Sequence, residues 1–163
     1  MLIEKNDNNI MNKKNIIIGG LAGLGVYTVY QYLLRKNNNP KEVELVLQNW
    51  LDTVCNHNPQ AIVDLYAPDG VLLGTVAKTM KIGRQEIISY FDMFVKKRPC
   101  GLFTEINVQN FGTDYAVADG TYDFTLFNED DTKEIVPARF TFVLRKIDGK
   151  WLIASHHSSA NPE

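Results

Sequence analysis

The last strand-like segment of the chain ends in four consecutive polar residues, His156, His157, Ser158 and Ser159. An imidazole ionises close to neutral pH, so it can accept or relay a proton. A serine hydroxyl both donates and accepts hydrogen bonds, so it can orient a water molecule and then an anionic product. Because four polar groups that close an otherwise apolar strand need hydrogen-bond partners, the pattern predicts that some of them line a pocket.

The residues that could bind a metal are few and badly spaced for it. Adjacent side chains on a strand point to opposite faces, so His156 and His157 are not expected to chelate one ion unless a bulge intervenes. His57 follows the first predicted helix and is expected at the surface. Cys55 and Cys100 lack the C-x-x-C spacing of a zinc site. The sequence therefore predicts no metal and no other cofactor, since P-loop and dinucleotide-binding glycine motifs are also absent.

Composition and charge exclude several other classes of protein. The chain has 163 residues, 45% hydrophobic and 22% charged, which is typical of one folded domain with a tail. Its 17 basic and 19 acidic residues give a formal charge of −2, so a broadly basic nucleic-acid binder is excluded. Two cysteines are too few for a disulfide-stapled secreted scaffold.

The N-terminal part of the chain differs in composition from the rest. Residues 1–14 form a polar tail, and residues 15–36 contain the uncharged span Asn15–Leu34. As a helix this span would reach roughly 30 Å, one hydrocarbon thickness, so it predicts a membrane anchor on an unassigned side. A targeting segment and a soluble tail remain alternatives. Residues 37–40 are the expected linker, and residues 41–163 the expected domain.

Within the domain, hydrophobic periodicity predicts helices first and strands afterwards. Asn39-Pro40 predicts a helix start, and Asp148-Gly149 predicts a tight hairpin. The expected helices are 40–56, 59–66 and one that begins at Gly83, with a turn over Tyr66–Gly70. The expected strands are 71–73, 102–111, 115–127, 134–147 and 150–159. This order predicts an α+β fold in which three helices pack on one face of a curved, mainly antiparallel sheet and leave a pocket inside a cone.

The order of elements resembles the nuclear transport factor 2-like, or cystatin-like, superfamily. The ending DGKWLIASHHSSANP is similar to the group related to the association domain of calmodulin-dependent protein kinases. Within that group, residues 156–162 are most similar to the HHSSxxP ending of the iota-class carbonic anhydrases. Residues 65–76, 88–101 and 138–142 resemble further segments of that class, so the resemblance covers 41–163.

The resemblance implies reversible hydration of CO2 to bicarbonate by a homodimer that pairs through the outer face of the sheet. Some members of the class are described as metal-free and others as manganese-dependent, and the metal-free chemistry suits these residues better. The class uses a threonine on the first strand, a tyrosine on the third helix and a serine of the terminal motif. The closest positions here are Thr75, Tyr90 and either Ser158 or Ser159, and Arg139 could supply positive charge for bicarbonate.

Strand parity decides which histidine and which serine would face the pocket. One face of the last strand carries Trp151, Ile153, Ser155, His157 and Ser159, and the other carries Leu152, Ala154, His156 and Ser158. Both faces begin with apolar residues, so the sequence does not choose between them. We favour His157 and Ser159 and retain His156 and Ser158.

Two other functions stay open for the same fold. One is a non-catalytic association or ligand-binding hub, although these hubs carry cationic pocket residues and Ser158 stands here where such a hub has an arginine. The other is an isomerase or dehydratase, which would need a buried carboxylate as general base that the strands near the motif do not obviously supply. A Ser-His-Asp nucleophile is not indicated, because no G-x-S-x-G motif is present.

Overall fold

The computed structural model describes residues 39–162. The predicted tail 1–14, the predicted anchor 15–36 and residues 37–38 of the predicted linker lie outside the described residues. Within residues 39–162, no helix is both long enough and apolar enough to cross a membrane. The unit from residue 39 onward is compact and has its own hydrophobic core.

Three helices come before most of the sheet, as the periodicity predicted. They are α1 (Pro40–Cys55), α2 (Pro59–Asp64) and α3 (Gly83–Phe94), and a short 3-10 turn over Val95–Lys97 follows α3. The Asn39 side chain accepts a hydrogen bond from the Lys41 amide at 3.1 Å, and Pro40 is the first residue of α1. Asn58 caps α2 in the same way, because its side chain accepts from the Ala61 amide at 3.1 Å. The predicted helix starts at residues 40 and 59 are confirmed.

Six strands form one sheet. They are β1 (Tyr66–Leu73), β2 (Lys81–Ile82), β3 (Cys100–Phe111), β4 (Tyr115–Phe127), β5 (Lys133–Ile147) and β6 (Lys150–Ala160). Their order across the sheet is β2-β1-β6-β5-β4-β3, and only the pair β1–β6 is parallel. The predicted mainly antiparallel sheet is therefore confirmed, and the short strand β2 is an element that the sequence analysis did not predict.

The start of β1 corrects one prediction. A turn was expected over Tyr66–Gly70, but these residues are an irregular part of β1, where the register to β6 shifts between Tyr66 and Val71. Gly70 allows this close approach, since a Cβ there would lie 3.0 Å from the Ala67 carbonyl oxygen. The Arg84 guanidinium donates to the Tyr66 carbonyl oxygen from Nε at 2.9 Å and from Nη2 at 2.7 Å. The Tyr66 carbonyl is thus held by a side chain at the place where the ladder is irregular.

A β-bulge interrupts β6 at Ala154. Val143 of β5 pairs with Ser155, whereas the next residue, Leu144, pairs with Ile153, so Ala154 is one extra residue in β6. Ile153 is buried on the inner face before the bulge, and His156 is buried on that same face after it. The bulge therefore changes which of the two alternating faces of β6 points inward.

The hydrophobic core lies between the helices and the inner face of the sheet. Trp50 of α1, Phe91 of α3 and Phe142 of β5 are among its largest buried side chains. Trp50 meets both Phe91 and Phe142 edge to face, at ring-centroid distances of 6.4 and 5.1 Å. The helices do not cover the whole inner face, and a cavity remains beside this aromatic group.

A disulfide joins the end of α1 to the beginning of β3. It links Cys55 to Cys100, which are 45 positions apart in the sequence. The sequence analysis did not pair these cysteines, because nothing in their spacing shows that the fold brings α1 and β3 together.

We expect that replacing both cysteines, Cys55→Ser and Cys100→Ser, lowers the free energy of unfolding by about 2–4 kcal/mol, because the crosslink restricts the unfolded chain. Urea unfolding of the oxidised protein and of the double variant measures this difference. Addition of a reductant should bring the unmutated protein to the stability of the variant and leave the variant unchanged. A wild-type protein insensitive to reductant would contradict the expectation.

Candidate functional site

A cavity of about 220 Å³ opens between α3, the loop after β1 and the inner face of the sheet. Sites for drug-sized ligands usually measure about 300–1,000 Å³, so this cavity suits a smaller molecule. Its wall is mostly apolar. The lining residues are Trp50, Leu72, Gly74, Thr75, Val76, Tyr90, Phe91, Phe94, Lys97, Tyr122, Phe124, Leu126, Glu134, Val136, Ala138, His156 and Ser158.

Three hydroxyl groups meet at one side of this cavity. The Ser158 Oγ lies 2.5 Å from the Thr75 Oγ1 and accepts a hydrogen bond from the Tyr122 hydroxyl at 2.5 Å. Burial raises the pKa of Tyr122, so its hydroxyl stays neutral and keeps its hydrogen. Three hydroxyl hydrogens serve two internal hydrogen bonds, so one O–H remains to donate to a bound molecule. We call Thr75, Tyr122 and Ser158 the hydroxyl cluster.

Tyr90 of α3 forms another part of the wall. Burial raises the pKa of Tyr90 to about 12, and a hydrogen bond with the backbone of Val76 opposes this shift. The phenol ring packs directly against the backbone of Gly74, where a Cβ would lie 2.4 Å from the ring carbon Cζ. A residue with a side chain at position 74 would therefore displace Tyr90.

His156 is buried beside the cavity and is only 3% exposed. Its Nδ1 lies 2.8 Å from the Tyr66 hydroxyl, and its ring stacks on Phe142 with a centroid distance of 3.9 Å. Burial, with a smaller contribution from His157, lowers the pKa of His156 to about 3. The Nε2 atom has no hydrogen-bond partner. His156 is therefore neutral at physiological pH and cannot serve as a general base of near-neutral pKa.

The preference for His157 and Ser159 as pocket residues is wrong. Both lie on the outer face of β6, where the Arg139 Nε donates to the Ser159 Oγ at 3.1 Å in a separate shallow cleft. The cause is the bulge at Ala154, because strand parity counted from Trp151 no longer holds after an extra residue. Arg139 shares the outer face, so the structure also separates this predicted bicarbonate ligand from the cavity.

The structure therefore brings together four of the predicted site residues and adds others. Thr75, Tyr90, His156 and Ser158 line one cavity, as the retained alternative allowed. Tyr66 and Tyr122 were not predicted to take part. The only sequence signal for Tyr122 was a hydroxyl among the inward-facing apolar residues of β4, and Tyr66 lay in a segment interpreted as a turn.

The residues of this cavity do not fit a zinc or manganese ion. No group of three or more His, Cys, Asp or Glu side chains within residues 39–162 is arranged to hold a metal. The His156 Nδ1 is already bonded to Tyr66, His157 faces outward, and the two cysteines are joined to each other.

Charged groups are confined to the rim. Lys97 and Glu134 are the lysine and the carboxylic acid among the described lining residues, and both are exposed. The interior presents neutral hydroxyls, aromatic rings and one neutral imidazole. Such an interior admits a neutral molecule without the cost of burying a charge.

Residues 39–162 match the family model described as calcium/calmodulin dependent protein kinase II association domain. A Xanthomonas campestris crystal structure described as a domain of this kind is 46% identical, with a TM-score of 0.72. The match covers 75% of this chain and 87% of that chain. The chain matches no curated protein sequence.

More distant structures agree in fold. A ketosteroid isomerase-like protein from Erwinia carotovora is 20% identical with a TM-score of 0.69, over 78% of this chain and 99% of that chain. A protein described as a dehydratase of the NTF2-like family, from Streptomyces avermitilis, is 15% identical with a TM-score of 0.68, over 76% and 96%. At these identities the likeness shows the fold alone, and it confirms the predicted NTF2-like α+β architecture. The iota-class subgroup stays a prediction.

We expect acid to destabilise the fold through His156. The pKa of its imidazole falls from an ordinary 6.5 to about 3 on folding. Between these values the unfolded state binds the additional proton, so stability is lost as pH falls from about 6.5 towards 3. The free energy of unfolding of His156→Gln should fall less steeply with decreasing pH than that of wild type, and the two slopes should differ by up to about 1.4 kcal/mol per pH unit. Urea unfolding between pH 4 and pH 7 measures this slope.

The matched control for this experiment is His157→Gln, because the neighbouring imidazole is exposed on the other face of β6. This variant should keep the wild-type slope. If instead His156→Gln and wild type lose stability in parallel, His156 is not buried in its neutral form.

Proposed function

The chain belongs to the calcium/calmodulin dependent protein kinase II association domain family, and on that premise we propose that it is a metal-independent carbonic anhydrase, which hydrates CO2 reversibly to bicarbonate. The observation that carries the proposal is the hydroxyl cluster with its one free O–H in a small, mostly apolar cavity. The resemblance of residues 156–162 to the iota-class ending supports the same activity.

The cavity has different features for the substrate and for the product. CO2 is small, uncharged and weakly polar, so it suits a wall of aliphatic and aromatic side chains such as Leu72, Phe91 and Val136. Bicarbonate is an acceptor-rich anion and suits neutral O–H donors. The free hydrogen of the hydroxyl cluster is available to an oxygen of either molecule, and it interacts more strongly with the more negative one.

In the hydration direction, a water molecule held by Thr75 and Ser158 attacks the carbon of CO2. A new C–O bond forms while one C=O π bond opens. The water gives one hydrogen to a hydroxyl of the cluster, and that hydroxyl passes its own hydrogen to an oxygen of CO2. The hydroxyl ends as it began, and the product is carbonic acid, which ionises to bicarbonate and a proton. This relay needs no group that carries charge, which agrees with the neutral interior.

The positions of the other residues limit the alternatives. His156 is too weak a base to take the proton, because burial lowers its pKa to about 3. Glu134 is the one carboxylate among the described residues that line the cavity, and it is exposed at the rim. An isomerase or dehydratase that depends on a buried carboxylate base is therefore less well supported.

We expect Ser158→Ala to lower kcat/KM for CO2 hydration by about 100-fold or more, because loss of one positioned donor commonly costs 10²–10³ in rate. Stopped-flow hydration in the presence of a chelator measures this change. Ser159→Ala is the matched control. It removes the same atom from the next position but on the outer face, so it should keep activity within about twofold of wild type.

Three outcomes would contradict parts of this proposal. Equal losses of hydration activity in Ser158→Ala and Ser159→Ala would contradict the role of the hydroxyl cluster. Activity that appears only with added zinc or manganese would keep the reaction but overturn its independence of metal. A folded protein with no hydration activity under any of these conditions would reject the enzyme.

The second candidate is a non-catalytic association or ligand-binding module. It is favoured by the family match, because the family is described as an association domain. Hubs of this kind carry cationic pocket residues, whereas among the described residues that line this cavity Lys97, at the rim, is the one lysine or arginine. The observed lining thus supports the small neutral ligand of the first proposal better.

We expect a homodimer that pairs through the outer face of the sheet, and therefore a light-scattering mass of about twice that of one chain. Residues 39–163 are suited to this measurement because the unit has its own core. A ring of many copies, together with absence of CO2 hydration, would favour the association module. A monomer would contradict the expected pairing.

A further inference from the structure

Tyr66 and His156 form a buried polar pair between neighbouring strands. Tyr66 begins β1, His156 lies in β6, and their side chains are 0% and 3% exposed. The Tyr66 hydroxyl is 2.8 Å from the His156 Nδ1, and no other hydrogen bond of this hydroxyl is found within residues 39–162. Each group is therefore the main polar partner of the other.

A third polar group, the Trp50 indole, favours one direction of this hydrogen bond. The indole N–H of Trp50 acts only as a donor, and it lies near enough to Tyr66 to oppose the effect of burial on the tyrosine pKa. The geometry falls short of a hydrogen bond, so Trp50 Nε1 has no partner. An N–H donor near this hydroxyl favours the orientation in which the Tyr66 oxygen turns a lone pair towards the indole and its hydrogen towards His156.

The place of the unpaired hydrogen gives the same direction. If Tyr66 donates to Nδ1, every hydrogen of the pair is used except the one on Nε2 of the neutral ring. If Nδ1 donates to Tyr66, the tyrosine hydrogen lacks an acceptor and the Nε2 lone pair lacks a donor. Each arrangement leaves one hydrogen unpaired, on His156 in the first and on Tyr66 in the second. His156 lines the cavity, where a bound molecule can pair with it, whereas Tyr66 is fully buried and is not a lining residue, so the first arrangement costs less free energy.

We propose that Tyr66 is a positioning residue that holds His156 as the neutral imidazole with its hydrogen on Nε2, so that His156 is a hydrogen-bond donor to an oxygen in the cavity. The stacking of the ring on Phe142 also favours the uncharged form. The Nε2–H has no acceptor within the described residues, and His156 lines the cavity, so an oxygen bound there is the acceptor that we assign to it. The ligand class for this end of the cavity is therefore an oxygen acceptor, such as a carboxylate or carbonate oxygen.

The consequence for catalysis rests on the proposed function. In the proposed hydration reaction, the His156 Nε2–H donates to an oxygen of bicarbonate or of the attacking water. The proton transfers occur at the hydroxyls of Thr75 and Ser158. The tautomer itself is a property of the free protein and can be tested without any reaction.

The test is a long-range ¹H–¹⁵N correlation spectrum of the full chain labelled at its histidines. We expect His156 to show a protonated Nε2 and an unprotonated Nδ1, without change between pH 5 and pH 8. The exposed His57 and His157 provide the comparison in the same spectrum. Loss of the signal in His156→Gln assigns it. A hydrogen on Nδ1, or a charged ring in this range, would overturn the proposal.

Tyr66→Phe tests the positioning role. It removes the donor to Nδ1 with little change in shape, so the fixed tautomer should be lost and the two ring nitrogens should move towards averaged shifts. A variant that keeps the wild-type tautomer would show that Tyr66 does not set it. If Tyr66→Phe does not fold, the wild-type spectrum still decides the tautomer.

A pair of variants distinguishes a hydrogen-bond donor at position 156 from a general base at that position. The amide of His156→Gln can present an N–H near the place of Nε2, whereas His156→Phe presents none. We expect hydration activity within about tenfold of wild type for the first and a loss of 100-fold or more for the second. Equal losses would overturn the donor role. Absence of activity in the wild type would reject the proposed function and leave the tautomer to the spectrum.

Discussion

One extra residue in the last strand decides what the cavity can do. Ala154 shifts the pairing of β6 against β5, and every side chain after it faces the opposite way from a regular strand. The apolar residues before the bulge and the polar residues after it can therefore share the inner face. Without the bulge, His156 and Ser158 would face outward, and Thr75, Tyr122 and Tyr66 would lose their partners.

The irregular start of β1 lies at the same level of the sheet as this bulge. Tyr66 pairs with Ile153 and Val71 pairs with Ser155, so both strands depart from a regular ladder beside Ala154. The Arg84 guanidinium satisfies the Tyr66 carbonyl at this place. The backbone distortion and the polar site are thus one feature, because the same irregularity aims the Tyr66 side chain at His156.

Much of the fold could be predicted because its signals are local. The alternation of Tyr122, Phe124 and Leu126 predicts β4, and the Asn-Pro pairs predict where the first two helices begin. The site could be predicted only in part, because its geometry depends on pairing between distant segments. The alternation of residues along a strand does not reveal a bulge, because the bulge depends on how the neighbouring strands pair. The link between Cys55 and Cys100 is hidden for the same reason, since only the packed fold brings α1 to β3.

The contact between Gly74 and Tyr90 also limits how this protein can change over evolutionary time. A larger residue at position 74 collides with the phenol ring, so it is accommodated by displacement of Tyr90 or by a smaller residue at position 90. A smaller residue at position 90 removes the obstacle but also removes a wall of the cavity. The two positions are therefore expected to vary together. If Gly74 is replaced first, the Tyr90 side chain of α3 is displaced from its place in the cavity wall. The order of change at this pair is therefore constrained in both directions, because tyrosine fits at position 90 without displacement only when position 74 is glycine.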